Sequence, residues 1–261
     1  MRALSIAATG MSAQQLNVEV IANNIANTNT TGFKRSAAQF ADLLYQTERA
    51  VGAPNRSGGE PIPEGIQIGL GVQPVAIRSV NLQGPISSTG NQLDLALNGR
   101  GWFQVSGPNN TILYTRSGSL GKNAAGQLVA QDGSLIVPNI TLPANTTTIQ
   151  INPDGAVYYD TGTGTLSQAG QITIANFPNE AGLQGLGGNL YQETTSSGNP
   201  QVAAPGTPGY ATIQQGYLEG SNVDPVQEIT NLISAQRNYE MNSKVIEAAD
   251  DMYQTITKNN L

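Results

Sequence analysis

Residues 223–257 read VDPVQEITNLISAQRNYEMNSKVIEAADDMYQTIT. Asp224 is a good helix cap, Pro225 suits the first helical position, and Gln227 stands three residues after the cap. Glu228 then favours the positive end of the helix dipole. Val226, Ile229, Ile233, Ile246, Ala249, Tyr253 and Ile256 follow at three- and four-residue spacing. Gln236, Tyr239 and Ser243 occupy the middle of that seam. The pattern predicts one helix from about Pro225 to Thr257. Such a helix draws most of its stability from packing, and no helix adjoins it in sequence. Its partner must come from the other end of the chain or from another copy.

The other end supplies a candidate. Leu4, Met11, Val18 and Ile25 fall seven apart, with Ala7, Ala8, Gln14, Gln15 and Ile21 on the intervening turns. Asn27, Thr28, Asn29, Thr30 and Thr31 followed by Gly32 end the pattern. An amphipathic helix on a globular core would show a similar stripe. Here glutamines interrupt the seam and a polar loop follows it, which favours a partner outside the core.

Between the ends the pattern changes from helical to alternating. Leu93, Leu95 and Leu97 alternate, Asn98-Gly99 signals a turn, and Trp102-Phe103-Gln104-Val105 resumes a strand. Asp132-Gly133 separates Leu128-Val129 from Leu135-Ile136-Val137. Pro153-Asp154-Gly155 separates Ile149 and Ile151 from Val157 and Tyr158, and Ile172 and Ile174 add another strand. Short strands with such turns suggest an antiparallel sandwich or barrel. QTERAVGAPNRSGGEPIPE (46–64) and SSGNPQVAAPGTPG (196–209) read as extended or flexible inserts.

The chain is therefore expected to be α+β. Its N- and C-terminal helices pair as a coiled-coil-like bundle, and its central domain is antiparallel and β-rich. Residues 1–45 hold the first helix and the start of an extended connector, and 46–64 form an insert. Residues 65–215 form the β-rich domain and 216–261 the C-terminal helix.

Composition excludes much chemistry. The 261 residues include no Cys and no His. Disulfides, thiolate nucleophiles, imidazole bases and His or Cys metal sites are therefore absent. No cofactor or metal site is expected. Charged residues make up 11%, and the net charge is −6, against the basic surface that nucleic-acid binding requires. Charge is concentrated at the C-terminal end, where 10 of the 46 residues 216–261 are charged, against 13 of the 165 residues 51–215. Thr9, Gly10, Ser12, Gln14, Gln15, Asn17 and Glu19 interrupt any apolar run near the start, so neither a membrane span nor a cleaved leader is expected.

Four stretches resemble the bacterial flagellar rod and hook proteins. ANNIANTNTTGFKR (22–35), with Asn23, Asn24, Asn27, Gly32 and Phe33, is similar to that family's N-terminal signature. LDLALNGRGWFQV (93–105) and YTRSGSLGKNAAGQLVAQDGSLIVP (114–138) resemble its central motifs. QGYLEGSNVDPVQEITNLISAQRNYEMNSKVIEAADDMYQTI (215–256) resembles its C-terminal helix. The opening MRALSIAATGM, the length and the insert at 46–64 point to the distal-rod branch over its proximal-rod and hook paralogues. The resemblance implies a structural subunit exported through the flagellar type III apparatus and polymerising helically in the periplasm. Its homopolymer would join proximal rod proteins to the hook protein, turning inside peptidoglycan-ring and outer-membrane-ring proteins. Leu4, Met11, Val18, Ile21, Ile25, Val226, Ile229, Ile233, Ile246, Tyr253 and Ile256 would pack the inner tube, and residues 46–64 would set straightness.

Two other classes compete. Asp94, Asp132, Asp154 and Asp160 offer carboxylates for an acid–base pair, but Asp132 and Asp154 precede glycine in turn signals and Asp94 lies in an alternating strand. Gly65, Gly69 and Gly71 are not followed by the Lys-Ser/Thr of a phosphate loop. A secreted β-rich adhesin would suit the Thr- and Asn-rich strands but leaves the terminal helices unexplained.

Overall fold

A computed structural model describes residues 2–50, 64–108, 111–162 and 164–259, the side chains of Ile256, Thr257 and Asn259 excepted. The chain forms an α+β molecule of two compact units. One unit comprises Met1–Ile25, Ser36–Arg78 and Pro225–Leu261; the other comprises Ala26–Arg35 and Ser79–Asp224.

The helical unit contains α1 (Arg2–Ala26), β1 (Ser36–Asp42), β2 (Tyr45–Arg49), β3 (Ile66–Gly69), β4 (Val72–Ser79) and α2 (Pro225–Asn259). Both helices start and stop within two residues of the sequence signals. Strand β1 pairs with β4, and β2 pairs antiparallel with β3, Tyr45 opposite Gly69 and Gln46 opposite Ile68. The first residues of the expected insert thus form a ladder strand, and residues 51–63 lie outside the described residues.

Two contacts fix how the helices meet. Asn24 Nδ2 donates to Glu228 Oε2 at 3.1 Å, and a Cβ on Gly10 would stand 2.9 Å from Nδ2 of Asn242. From Asn24 back to Gly10 and from Glu228 on to Asn242 is the same number of residues. Helices α1 and α2 therefore run side by side and antiparallel. Their fully buried positions are Ala7, Ala13, Val20, Ile21 and Asn24 on α1, and Glu228, Ala235 and Ala249 on α2. Glu228, Ala235, Asn242 and Ala249 repeat every seven residues, so one line of α2 faces α1 along its length.

That line differs from the apolar seam read from sequence. Leu4, Met11, Val18, Ile25 and Ile246 are only half-buried, and Val226, Ile229, Ile233 and Tyr253 are exposed. Small residues let two backbones approach closely, which displaces the large side chains to the flanks.

The β-rich unit runs through β5 (Ile86–Ser88), β6 (Leu95–Asn98), β7 (Trp102–Ser106), β8 (Ile112–Thr115), β9 (Leu120–Lys122) and β10 (Leu128–Ala130). It continues with β11 (Thr148–Ile151), β12 (Ala156–Asp160), β13 (Ser167–Gln171), β14 (Ile174–Asn176) and β15 (Gln184–Gly187). The last are β16 (Leu190–Gln192), β17 (Gln201–Ala203), β18 (Thr212–Gln215) and β19 (Tyr217–Glu219). A six-stranded sheet in the order β15-β16-β8-β7-β14-β17 is accompanied by the β11-β12-β13 sheet and the ribbons β9-β10, β6-β18 and β5-β19. Successive side chains of a strand point to opposite faces, and here both faces of β7 and β8 are covered. Phe103, Val105 and Leu113 join Leu95, Leu128, Ile136, Val157, Ile172 and Ile213 in the main core. Trp102 and Tyr114 pack on the other face with Ala175 and Phe177.

The stretch 196–209 is not a loose insert. Ser197 is fully buried, and β17 pairs with β14, Val202 opposite Ala175. Its Gly and Pro residues shape the turns that bring β17 to the sheet edge.

Candidate functional site: a buried charge node and the helix faces

Three buried charged side chains meet in the β-rich unit of a chain with few charges. Lys34 Nζ donates to Glu219 Oε1 at 2.5 Å and to the Leu82 carbonyl at 2.8 Å. Arg116 Nη1 donates to Glu219 Oε2 at 3.1 Å and Nη2 to the Gly99 carbonyl at 2.7 Å. The Gly84 N–H donates to the same carboxylate at 3.0 Å, so both Glu219 oxygens are engaged. Arg116 also lies over the Trp102 ring, 5.7 Å from its centroid, an attractive cation–π geometry. Burial lowers the pKa of Lys34 and of Arg116, and Glu219 opposes that shift in both.

The node anchors the segment that follows α1. Gly32 donates its N–H to the Glu219 carbonyl at 2.8 Å and holds a φ of 71°, which favours glycine. A Cβ there would also stand 2.7 Å from the Arg116 carbonyl carbon. Asn222 completes the clip: its Oδ1 accepts from Arg35 N at 2.7 Å, and its Nδ2 donates to the Val80 and Leu82 carbonyls. Residues 34–35, 80–84 and 219–222 are thereby held together where the chain enters and leaves this unit.

The sequence motif residues divide between the two units. In the helical unit, Asn24 is fully buried, and besides Glu228 it exchanges two bonds with the Ser36 backbone at 2.8 and 2.9 Å. Asn23 is exposed. In the β-rich unit, Asn27 accepts from Thr30 through its carbonyl and Oδ1, which closes the turn after α1. Phe33 is half-buried, and its carbonyl accepts from Asn222 N at 3.4 Å. Asp224 immediately precedes α2.

Lys34, Arg116 and Glu219 were not singled out by the sequence pattern. Their signal is contextual: each stands in a nearly uncharged, Gly-containing stretch, GFK, YTRSG and GYLEG.

The carboxylates considered for catalysis serve local structure. Asp132 accepts from Ser134, Asp154 from Ala156 N, and Asp160 from Gly162 N and Gly164 N. Asp94 accepts from Thr89 Oγ1 at 2.6 Å and Asn91 Nδ2 at 3.1 Å. The bonds that Asp132, Asp154 and Asp160 accept from the backbone N–H two residues on are Asx-type turn bonds, and those of Asp94 come from neighbouring side chains.

The helical unit exposes apolar side chains at Leu44, Val75 and Ile77 on its strand segments and in a longer series along α2. Val226, Ile229, Ile233, Met241, Val245 and Met252 are between 45% and 74% accessible. Among the described residues no helix is long and apolar enough to cross a membrane.

Comparison with known proteins gives the class. A family model described as flagellar basal body rod FlgEFG protein C-terminal matches residues 214–259. A flagellar hook protein FlgE/F/G D1 domain model matches 96–159, and a flagella basal body rod protein model matches 4–34. These models define a flagellar rod and hook protein. The flagellar basal-body rod protein FlgG of Agrobacterium fabrum is 55% identical, over 99% of this chain and 99% of its own. That of Caulobacter vibrioides is 49% identical over the same shares, while the FlgF rod protein of Caulobacter vibrioides is 35% identical over 88% of this chain and 86% of its own. The chain belongs to the FlgG family of flagellar basal-body rod proteins.

Proposed function

We propose that the chain is a structural subunit of the flagellar distal rod and polymerises helically into the drive shaft that carries motor torque to the hook. Family membership supports a structural role in the basal body and does not favour the adhesin or paralogue readings. The observation that carries polymerisation is the outer face of α2. The chain uses small and polar residues where α2 meets α1 and leaves Val226, Ile229, Ile233, Met241, Val245 and Met252 in solvent. Burying such side chains stabilises by about 1.5–3 kcal/mol each, so neighbouring copies have a strong reason to cover them. The helix pairs of successive copies then form a coiled-coil-like bundle.

The same reading includes export through the flagellar type III apparatus without a cleaved leader and assembly in the periplasm. The polymer ends meet proximal rod and hook proteins, ring proteins surround it, and residues 46–64 set straightness. The test is sedimentation of purified chains carrying Ile229→Asp or Ile233→Asp. Both should lose assembly while circular dichroism shows the β-rich unit and helices intact, since these positions are exposed. Assembly at wild-type concentrations would contradict the proposal.

A further inference from the structure

One flank of the helix pair carries an open groove of about 510 Å³, lined by Gln15, Val18 and Glu19 of α1 and Gln236, Tyr239 and Glu240 of α2. Val18 and Tyr239 give it apolar walls, and Glu19 and Glu240 give it two carboxylates. Glu19 accepts a neutral hydrogen bond from Gln15 at 3.2 Å. Among the described residues neither carboxylate forms an ion pair. The groove therefore suits an apolar occupant that carries a cation.

The far face of α2 has that character. Ile233, Arg237 and Met241 follow one another at four-residue steps and are all exposed. Arg237 lies roughly 200° around the helix from Ala235, which faces α1. Arg237 and Glu240 of one helix are three residues apart, but a solvated pair at that spacing contributes little. The guanidinium is available to a partner.

We infer that the groove of one copy receives the Ile233–Arg237–Met241 face of a second copy, with Arg237 seated between Glu19 and Glu240. Groove and knob are neighbouring but distinct patches, Glu240 standing about 60° around α2 from Arg237. In the inferred assembly each groove takes the knob of the next copy, a head-to-tail contact that leaves both outer copies with a free half. Such a contact propagates instead of closing as a two-fold dimer does. The inference rests on the polymerisation reading above and specifies which surfaces meet.

Charge exchange tests it on the full chain. Arg237→Glu and Glu19→Arg should each raise the concentration needed for assembly by about tenfold or more, through like-charge contact. Combining them should recover several-fold of that loss but not all of it, because one pair is restored with reversed sign while Glu240 still faces a carboxylate at position 237. Helicity by circular dichroism should be unchanged in all three, both positions being exposed. Single variants that assemble like wild type, or a double variant that is not rescued, overturn this contact alone. Wild-type chains that never assemble overturn the polymerisation reading, and the contact with it.

Discussion

Glu219 has more structural responsibility than any other charged residue described here. Its carboxylate faces two buried cations and a backbone N–H, and its own carbonyl receives Gly32. A buried ion cluster adds little net stability when intact, because desolvation offsets the attraction. Removing one member is different, since the others remain buried without a counter-charge. Glu219→Gln is predicted to destabilise the β-rich unit by about 3–5 kcal/mol. Chemical denaturation followed by tryptophan fluorescence reads this directly, because the single Trp, Trp102, lies under Arg116. A shift below about 1 kcal/mol, the range of an exposed pair, would show that the node is not a sealed unit. Asn24 and Gly32 were legible as motif residues, but their partners were not. Their bonds go to Glu228 and Glu219, about two hundred residues away, and one-dimensional spacing holds no record of such meetings.

At the scale of elements the helix ends were readable because capping and turn chemistry are local. Asp224-Pro225 starts α2 and the Asn/Thr cluster ends α1, whatever the rest of the chain does. The alternation in Leu95–Leu97 and Trp102–Val105 was readable for the same reason, as β6 and β7. Which face of each helix turns inward was not readable from hydrophobicity. On α2 the chain buries Glu228, Ala235 and Ala249, of which only Ala249 belongs to the apolar seam read from sequence, whereas on α1 it buries Val20 and Ile21 beside Ala7, Ala13 and Asn24. Ala235, Asn242 and Gly10 form the intramolecular seam, and Ile233 stands outside it. Two substitutions separate these roles. Ala235→Leu should destabilise the helical unit by about 1–3 kcal/mol through overpacking, as thermal loss of helicity would record. Ile233→Asp should leave the monomer's melting nearly unchanged, although it removes a larger apolar side chain. Equal losses from both would place the two residues on one buried face. The strand at 201–203 was missed because Gly and Pro dominate its flanks, and those residues mark turns more strongly than three residues mark a strand.

At the scale of the whole molecule, the β-rich unit closes a large apolar core, and the helical unit buries few large side chains and leaves a series of them on α2 in water. Val226 is 74% exposed and Met252 61%, within a chain that supplies no described segment to cover them. Under the proposed function, such a chain gains stability with each neighbour that covers this surface. The proposed head-to-tail contact repeats that gain with every copy. Absence of cysteine makes the central claim directly measurable. Single cysteines placed at Val226, Ile233, Met241 and Val245 on α2, and at Val202 of the β-rich unit as reference, can be labelled with maleimide in monomers and in assembled polymer. All five sites should label rapidly in the monomer. In the polymer the four α2 sites should be protected relative to Val202. Equal labelling of the α2 sites in monomer and polymer would contradict the account, because the outer face of α2 would then not be the surface on which the copies meet.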